Sequence, residues 1–167
     1  RNLRRRRRRR VSAPPRILAI AGSHSSGGAG IQADIKTITM LGGYAMTAIT
    51  AVTAQDTTGV HAVEALSPAM VAAQIDACVD DIGVDAIKIG MLGSPGVAEL
   101  VADGRAGIAV PSVVDPVMVA TSGSALADAV TIASFERLMD LATLVTPNLP
   151  ELAALGGAGT LAGKGFT

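Results

Sequence analysis

The sequence predicts an α/β fold, a mainly parallel sheet with helices on both faces. Short apolar runs recur along the chain, each stopped by glycine, proline or a polar residue, as buried parallel strands require. Amphipathic stretches with apolar residues at steps of three and four lie between those runs. The connections are short, so strand alternates with helix throughout. Sheets of this kind bind ligands just beyond the carboxyl ends of their strands.

The run Arg16–Ala21 is apolar and halted by Gly22, which makes it the first strand. Gly22–Gly30 is too rich in glycine and serine for regular structure and forms the loop into a helix. In that helix Ile31, Ile35 and Ile38 share a face, and Leu41-Gly42-Gly43 ends it. Tyr44–Ala54, rich in Thr, Val and Ile, reads as one second strand, followed by a turn at Asp56–Gly59 and a short strand at Val60–Leu66. Ser67-Pro68 is an N-cap followed by proline at the first helical position. The helix it opens buries Val71, Ile75, Cys78 and Ile82. Next come a strand at Asp85–Gly90, a short helix at Gly96–Ala102 and a strand at Val113–Asp115 ended by Pro116. A helix over about Ala125–Leu141, burying Ile132, Phe135 and Leu138, leads to a strand at Ala142–Thr146 before Pro147-Asn148-Leu149-Pro150-Glu151.

Of 167 residues 49% are hydrophobic, which argues against a disordered chain, and no apolar run approaches the roughly 20 residues of a membrane-spanning helix. The single cysteine, Cys78, excludes an internal disulfide and a cysteine metal cage, so a reducing, cytoplasmic setting is expected. On a buried helix face it is a core residue rather than a nucleophile. The formal charge of zero hides two unlike parts. Eight of the 14 basic residues occupy the first ten positions, whereas from Ile17 onward five basic residues face all 14 acidic ones, a formal charge of −9. Residues 1–15 therefore read as a basic, disordered tail and linker, dispensable for ligand binding, and residues 16–167 as the domain. An arginine block can attract nucleic acid or an anionic membrane, or act as a targeting segment. With no initiating Met and no interleaved aromatic residue for base stacking, the residues favour a fragment end or a misread frame, and no specific nucleic acid and no membrane partner is expected.

The candidates for chemistry end the strands. The Gly22–Gly30 loop can offer backbone N–H groups to an anion or a polar ligand at the following helix. Neither it nor Gly159–Gly165 meets the Walker pattern, and Gly-x-Gly-x-x-Gly is not met from Gly22. Asp34, in the first turns of its helix, either faces back toward the loop or is a solvated surface group. Gln55 and Met91 follow strands and, taken alone, read as a strand-end hydrogen bonder and a packing residue. Asp115 is the stronger candidate, because an acid terminating a buried strand sits where such folds bind ligands. Asn148 and Glu151 bracket a helix start, with Glu151 either a first-turn carboxylate favoured by the helix dipole or a metal-organising acid. His24 and His61 lack metal-ligand spacing and read as solvated loop residues.

Five runs, Ile20–Asp34, Ala48–Gln55, Lys88–Leu92, Val113–Met118 and Thr146–Glu151, together resemble the hydroxymethylpyrimidine and phosphomethylpyrimidine kinases of thiamine biosynthesis, members of the ribokinase-like superfamily. The resemblance runs from about Arg16 to Gly156. It implies a ribokinase-like fold, use of ATP and Mg2+, and phosphorylation of 4-amino-5-hydroxymethyl-2-methylpyrimidine or its monophosphate. It implies an aminopyrimidine site formed by Gly22, Asp34, Gln55, Met91 and Val117, in which the carboxylate and the amide hydrogen-bond the ring's edge. Asp115, Asn148 and Glu151 would organise magnesium and the nucleotide phosphates.

The chain departs from the family pattern at His24 and at Ser124, where relatives usually carry an acid. Family members also continue for roughly another half of the domain's length beyond the position of Thr167. That part holds a Gly-Thr-Gly type segment, a catalytic Cys or Asp and the adenine-binding loops. No catalytic residue is therefore expected within this chain, which is expected to be inactive alone, its sheet truncated on the C-terminal side with an edge through which copies associate into a homo-oligomer. The alternatives are a pyridoxal-type kinase fragment and a catalytically inactive pyrimidine-binding module. Gln55 and the Lys88–Leu92 run lean toward the pyrimidine.

Overall fold

The computed structural model describes residues 13–106, 108–117 and 129–155. The expectations placed on Arg1–Arg10, Met118, Ser122–Ser124 and Gly159–Gly165, and on the side chains of Ile132 and Phe135, lie outside the described residues. In chain order the elements are β1 (Arg16–Ala21), α1 (Gly30–Met40), β2 (Tyr44–Ile49), β3 (Ala51–Gln55), β4 (Val60–Ala65) and α2 (Pro68–Ala77), which a π-helical turn over Cys78–Ile82 continues. They are followed by β5 (Ala86–Ile89), α3 (Pro95–Ala106), β6 (Ser112–Val114), α4 (Ala129–Leu141), β7 (Leu144–Val145) and α5 (Leu149–Ala154). Five strands in the order β2-β1-β5-β6-β7 form one sheet, all neighbours parallel. The α/β alternation read from the sequence is thus the observed architecture.

The core follows from the apolar runs. Leu18 to Ala21 of β1 are almost fully buried, and Ile87 and Ile89 of β5 pack with Val71 of α2, Val97 and Val101 of α3 and Leu138 of α4 in one cluster. Each such side chain contributes roughly 1.5–3 kcal/mol through burial. Ile75, Cys78 and Ile82 pack against this cluster partly buried, as their spacing predicts. Burial raises the Cys78 thiol pKa above its ordinary value, in keeping with an inert core thiol. Ser67 caps α2, its hydroxyl accepting from the Met70 N–H at 3.2 Å.

Two expectations are corrected. Tyr44–Ala54 is not one strand: the chain leaves the parallel sheet at Thr50, and β3 pairs antiparallel with β4 in a separate two-stranded ribbon. Thr50 is fully buried at the swerve, its N–H bonded to Ala21 O (3.1 Å), its hydroxyl donating to Met91 O (2.7 Å) and its carbonyl accepting from Leu66 N–H (2.9 Å). These bonds satisfy the backbone without a ladder. The Ile31-Ile35-Ile38 face is also only partly used. Ile31 is 5% exposed but Ile35 is 38% exposed, because α1 packs on β1 and β2 at the rim of the sheet. No described helix is long and apolar enough to cross a membrane.

Arg16 at the start of β1 clasps Asp85 before β5. Its backbone N–H (2.8 Å), Nε (2.9 Å) and Nη2 (2.7 Å) all donate to the carboxylate, and Nη1 donates to Ile82 O. The guanidinium hydrogen bonds hold the Asp85 carboxyl well below the usual carboxylate range. A carboxyl with a depressed folded-state pKa adds stability above its unfolded value near 3.8, and that increment is lost as pH falls through the folded value. Asp85→Asn is therefore expected to be less stable than the parent at neutral pH. The difference should close as pH drops below about 4, as urea unfolding across that range would measure.

Candidate functional site

A cavity of about 250 Å³ opens where the parallel strands end. Ala21 and Gly22 reach it from β1, Met91 from β5, Asp115 and Val117 from β6, and Asn148 and Glu151 from the turn after β7, while Gln55 closes it from the β3–β4 ribbon. Seven of the eight residues expected from the sequence thus meet around one space, at the carboxyl edge of the sheet. Asp34 is the exception. It lies behind the wall, with Oδ2 at 3.2 Å from Lys88 Nζ, and Lys88 lines the cavity.

The Gly22–Gly30 loop is held against β3 by hydrogen bonds that mimic a strand pairing. Ser23 N–H donates to Ala51 O (2.8 Å), Thr53 N–H to Ser23 Oγ (3.0 Å), Gln55 N–H to Ser25 Oγ (2.7 Å) and Ser26 N–H to Gln55 O (3.2 Å). The serines thereby satisfy the edge of β3 and fix the Gln55 backbone at the cavity. Gly22 N–H donates to Met91 O (3.0 Å), and a Cβ at Gly22 would overlap the Met91 methyl group, so Gly22 and Met91 form one wall. His24, expected to be a solvated loop residue, lines the cavity, with its N–H bonded to Gln32 Oε1 (2.7 Å) and Nδ1 at 3.1 Å from Ser26 Oγ.

The family model for phosphomethylpyrimidine kinase matches residues 24–163, a range that holds Gln55, Met91, Asp115, Val117, Asn148 and Glu151 of the cavity but begins two residues after Gly22. The chain belongs to the phosphomethylpyrimidine kinase family. It is 54% identical over 142 residues to a hydroxymethylpyrimidine/phosphomethylpyrimidine kinase of Rhizobium meliloti, covering 84% of this chain and 53% of that relative. Among solved structures it resembles a phosphomethylpyrimidine kinase of Clostridium difficile 630, with TM-score 0.78 at 43% identity over 84% of this chain and 62% of that one. It also resembles the pyridoxal kinase of Staphylococcus aureus in complex with AMP-PCP and pyridoxal, with TM-score 0.75 at 36% identity over 86% and 52% of the two chains. The chain spans about half the length of the curated relatives it matches.

In this member of the phosphomethylpyrimidine kinase family the cavity carries an excess of acid. Burial raises the Asp115 carboxyl pKa, Lys88 opposes that shift, and the nearby charges of Glu151 and Asp34 add to it. Among the described residues Lys88 is the one lysine or arginine lining the cavity. A divalent cation would offset the surplus charge. No group of three or more His, Cys, Asp or Glu stands at metal-ligand spacing among the described residues. Asp115 and Glu151 are the two cavity carboxylates that would suit magnesium, which takes one or two carboxylates and completes its shell with water and phosphate oxygens. The sequence reading missed Lys88 as a site residue. Its signal was a lysine between two buried isoleucines, Ile87 and Ile89, where a charge is rarely placed without a partner.

Asn148 and Glu151 form a reciprocal cap on α5. Glu151 N–H donates to Asn148 Oδ1 and Asn148 N–H donates to Glu151 Oε2, both at 2.9 Å. Glu151 is 4% exposed, so its carboxylate is fixed by the cap while Oε1 stays outside those two bonds. Glutamine serves the same cap, so Glu151→Gln is expected to unfold in urea within about 0.5 kcal/mol of the parent. Glu151→Ala is expected to lose about 1 kcal/mol or more. Equal stability of the two variants would show that the side-chain half of the cap at position 151 contributes nothing.

Proposed function

We propose that this chain carries the acceptor-binding wall and part of the phosphate-organising wall of an ATP-dependent kinase acting on 4-amino-5-hydroxymethyl-2-methylpyrimidine or its monophosphate. The observation that carries this reading is the convergence of Gly22, Gln55, Met91 and Val117 with Asp115, Asn148 and Glu151 on one cavity. The Gly22 and Met91 wall and Val117 offer an apolar slot for a flat ring, and Gln55 offers an amide at its rim. Asp34, reached past Lys88, would accept from the ring's amino edge. Asp115 and Glu151 would hold magnesium, which when bound neutralises phosphate charge, and Asn148 would fix the turn that presents Glu151. These groups bind and orient the acceptor and donor, which is most of what phosphoryl transfer asks of a protein.

A pyridoxal kinase reading is the second candidate, supported by the likeness to the Staphylococcus aureus enzyme with bound pyridoxal. Calorimetric titration of the 167-residue chain with the aminopyrimidine and with pyridoxal separates the two. Preferential aminopyrimidine binding is the expected result, and preferential pyridoxal binding would overturn it. An ATP turnover assay on the same sample distinguishes a binding module from an enzyme. Binding without turnover is the expected result, because the residues assigned here bind and orient the reactants.

A further inference from the structure

Lys88 occupies a place that is costly for a lysine. It lies mid-strand in β5, the central strand of the sheet, between Ile87 at 2% and Ile89 at 0% exposure. Its own side chain is only 26% exposed. Such an ammonium needs a partner and room for its stem. Room comes from small neighbours. Ala19 is its register partner on β1, and Gly90 follows two residues on, where a Cβ would stand 2.8 Å from Lys88 Nζ and 3.2 Å from the Ala21 Cβ. The side chain therefore runs along the strand toward its carboxyl end and the cavity. The partner is Asp34, 17% exposed, whose Oδ2 is buried with no hydrogen bond and faces Lys88 Nζ at 3.2 Å.

The pair links α1 to the middle of the sheet across β1. Asp34 has no other ion-pair partner at that oxygen among the described residues, so the position of its carboxylate rests on Lys88. We propose that Lys88 is the positioning residue of the acceptor site: its ammonium, which lines the cavity, holds the Asp34 carboxylate just behind the wall, from where it accepts the amino edge of the ring. This rests on the functional reading above. It assigns to Lys88 an effect on acceptor binding exerted through Asp34 and not through direct contact with the ring.

Calorimetric titration of the 167-residue chain with 4-amino-5-hydroxymethyl-2-methylpyrimidine tests it. Lys88→Met is expected to weaken binding about tenfold or more, within the range of coupling between groups in contact. Lys88→Arg, which restores the cation, is expected to recover much of that loss. Gly90→Ala keeps the lysine but fills its space and is expected to weaken binding several-fold. In an Asp34→Asn background Lys88→Met is expected to add less than about a twofold loss, because the residue it acts through is already changed. A purely structural lysine would instead lower the melting temperature and give equal losses in both backgrounds, which would overturn the proposal. If Lys88→Met does not fold, parental binding by Gly90→Ala would overturn it equally. No binding by the parent would overturn the functional reading and this inference with it, whereas parental binding by a folded Lys88→Met would overturn this inference alone.

Discussion

Gly30→Ala is expected to abolish aminopyrimidine binding and to destabilise the fold by more than the equivalent change at any open glycine. Gly30 opens α1 with φ +58°, a conformation that costs an L side chain about 1–3 kcal/mol. The larger effect is steric. A Cβ there would overlap the carbonyl oxygen of Gly22, and that oxygen is backbone, already accepting from Ile31 N–H at 3.1 Å. Relief requires Gly22 to move, and Gly22 is tied to Met91 O while Ser23 is tied to Ala51 O. The overlap would therefore open the cavity on the side of Met91 and the ribbon. Gly42→Ala is the control. Gly42 has φ +83° with nothing within 4 Å of an added Cβ, so it carries the conformational cost without the overlap. Urea unfolding and aminopyrimidine titration of both variants would isolate the steric part. Equal destabilisation and equal binding would show that the loop yields at Gly30 without consequence.

The parallel sheet was legible from its short apolar runs, of which β1 is buried on both faces over Leu18 to Ala21. Leu18 to Ala21 and Ile87 to Ile89 read as strands from apolar continuity and from their glycine stops, and no tertiary information was needed. The swerve at Thr50 was not legible. A threonine suits a strand continuing straight as well as it suits a corner, and what turns the chain is the meeting of Ala21, Met91 and Leu66 at that residue. Periodicity likewise cannot tell how much of a helix face is covered, so Ile35 is exposed although it shares its spacing with Ile31.

The candidate site was legible in residue type more than in depth. Residues that end strands of a parallel sheet must converge on its carboxyl edge, which is why Gly22, Met91, Asp115 and Val117 meet although nearly a hundred positions separate the first from the last. Of the two readings the sequence left open for Glu151, the first-turn carboxylate is the one observed. Asn148 and Glu151 cap α5 and face the cavity, because a cap at a strand-to-helix turn stands at that same edge. Lys88 was hidden by its setting, since a charged residue inside an apolar run reads as a defect until its acid is found 54 positions earlier on another element.

Asp34→Asn is expected to weaken aminopyrimidine binding by about 10- to 100-fold. A hydrogen bond to a charged acceptor contributes roughly 1.5–3 kcal/mol, and about 1.4 kcal/mol corresponds to a factor of ten. Asparagine retains the shape but replaces one acceptor by an NH2 donor. That donor must face either the ring's amino group or the Lys88 ammonium, both donors themselves. The stability change should be smaller than the 3–5 kcal/mol of a fully buried broken pair, because the two side chains are 17% and 26% exposed and water screens the charge left behind. Asp34→Leu removes the acceptor altogether and leaves Lys88 against an apolar chain, so its stability loss should exceed that of Asp34→Asn. Affinity and unfolding free energy measured on the same variants therefore separate two roles for one carboxylate. A large loss of binding with a small loss of stability identifies Asp34 as the acceptor for the ring. Parental affinity in Asp34→Asn would reduce it to the counter-ion of Lys88, and the polar edge of the ring would then have to be read by Gln55 alone among the proposed side chains.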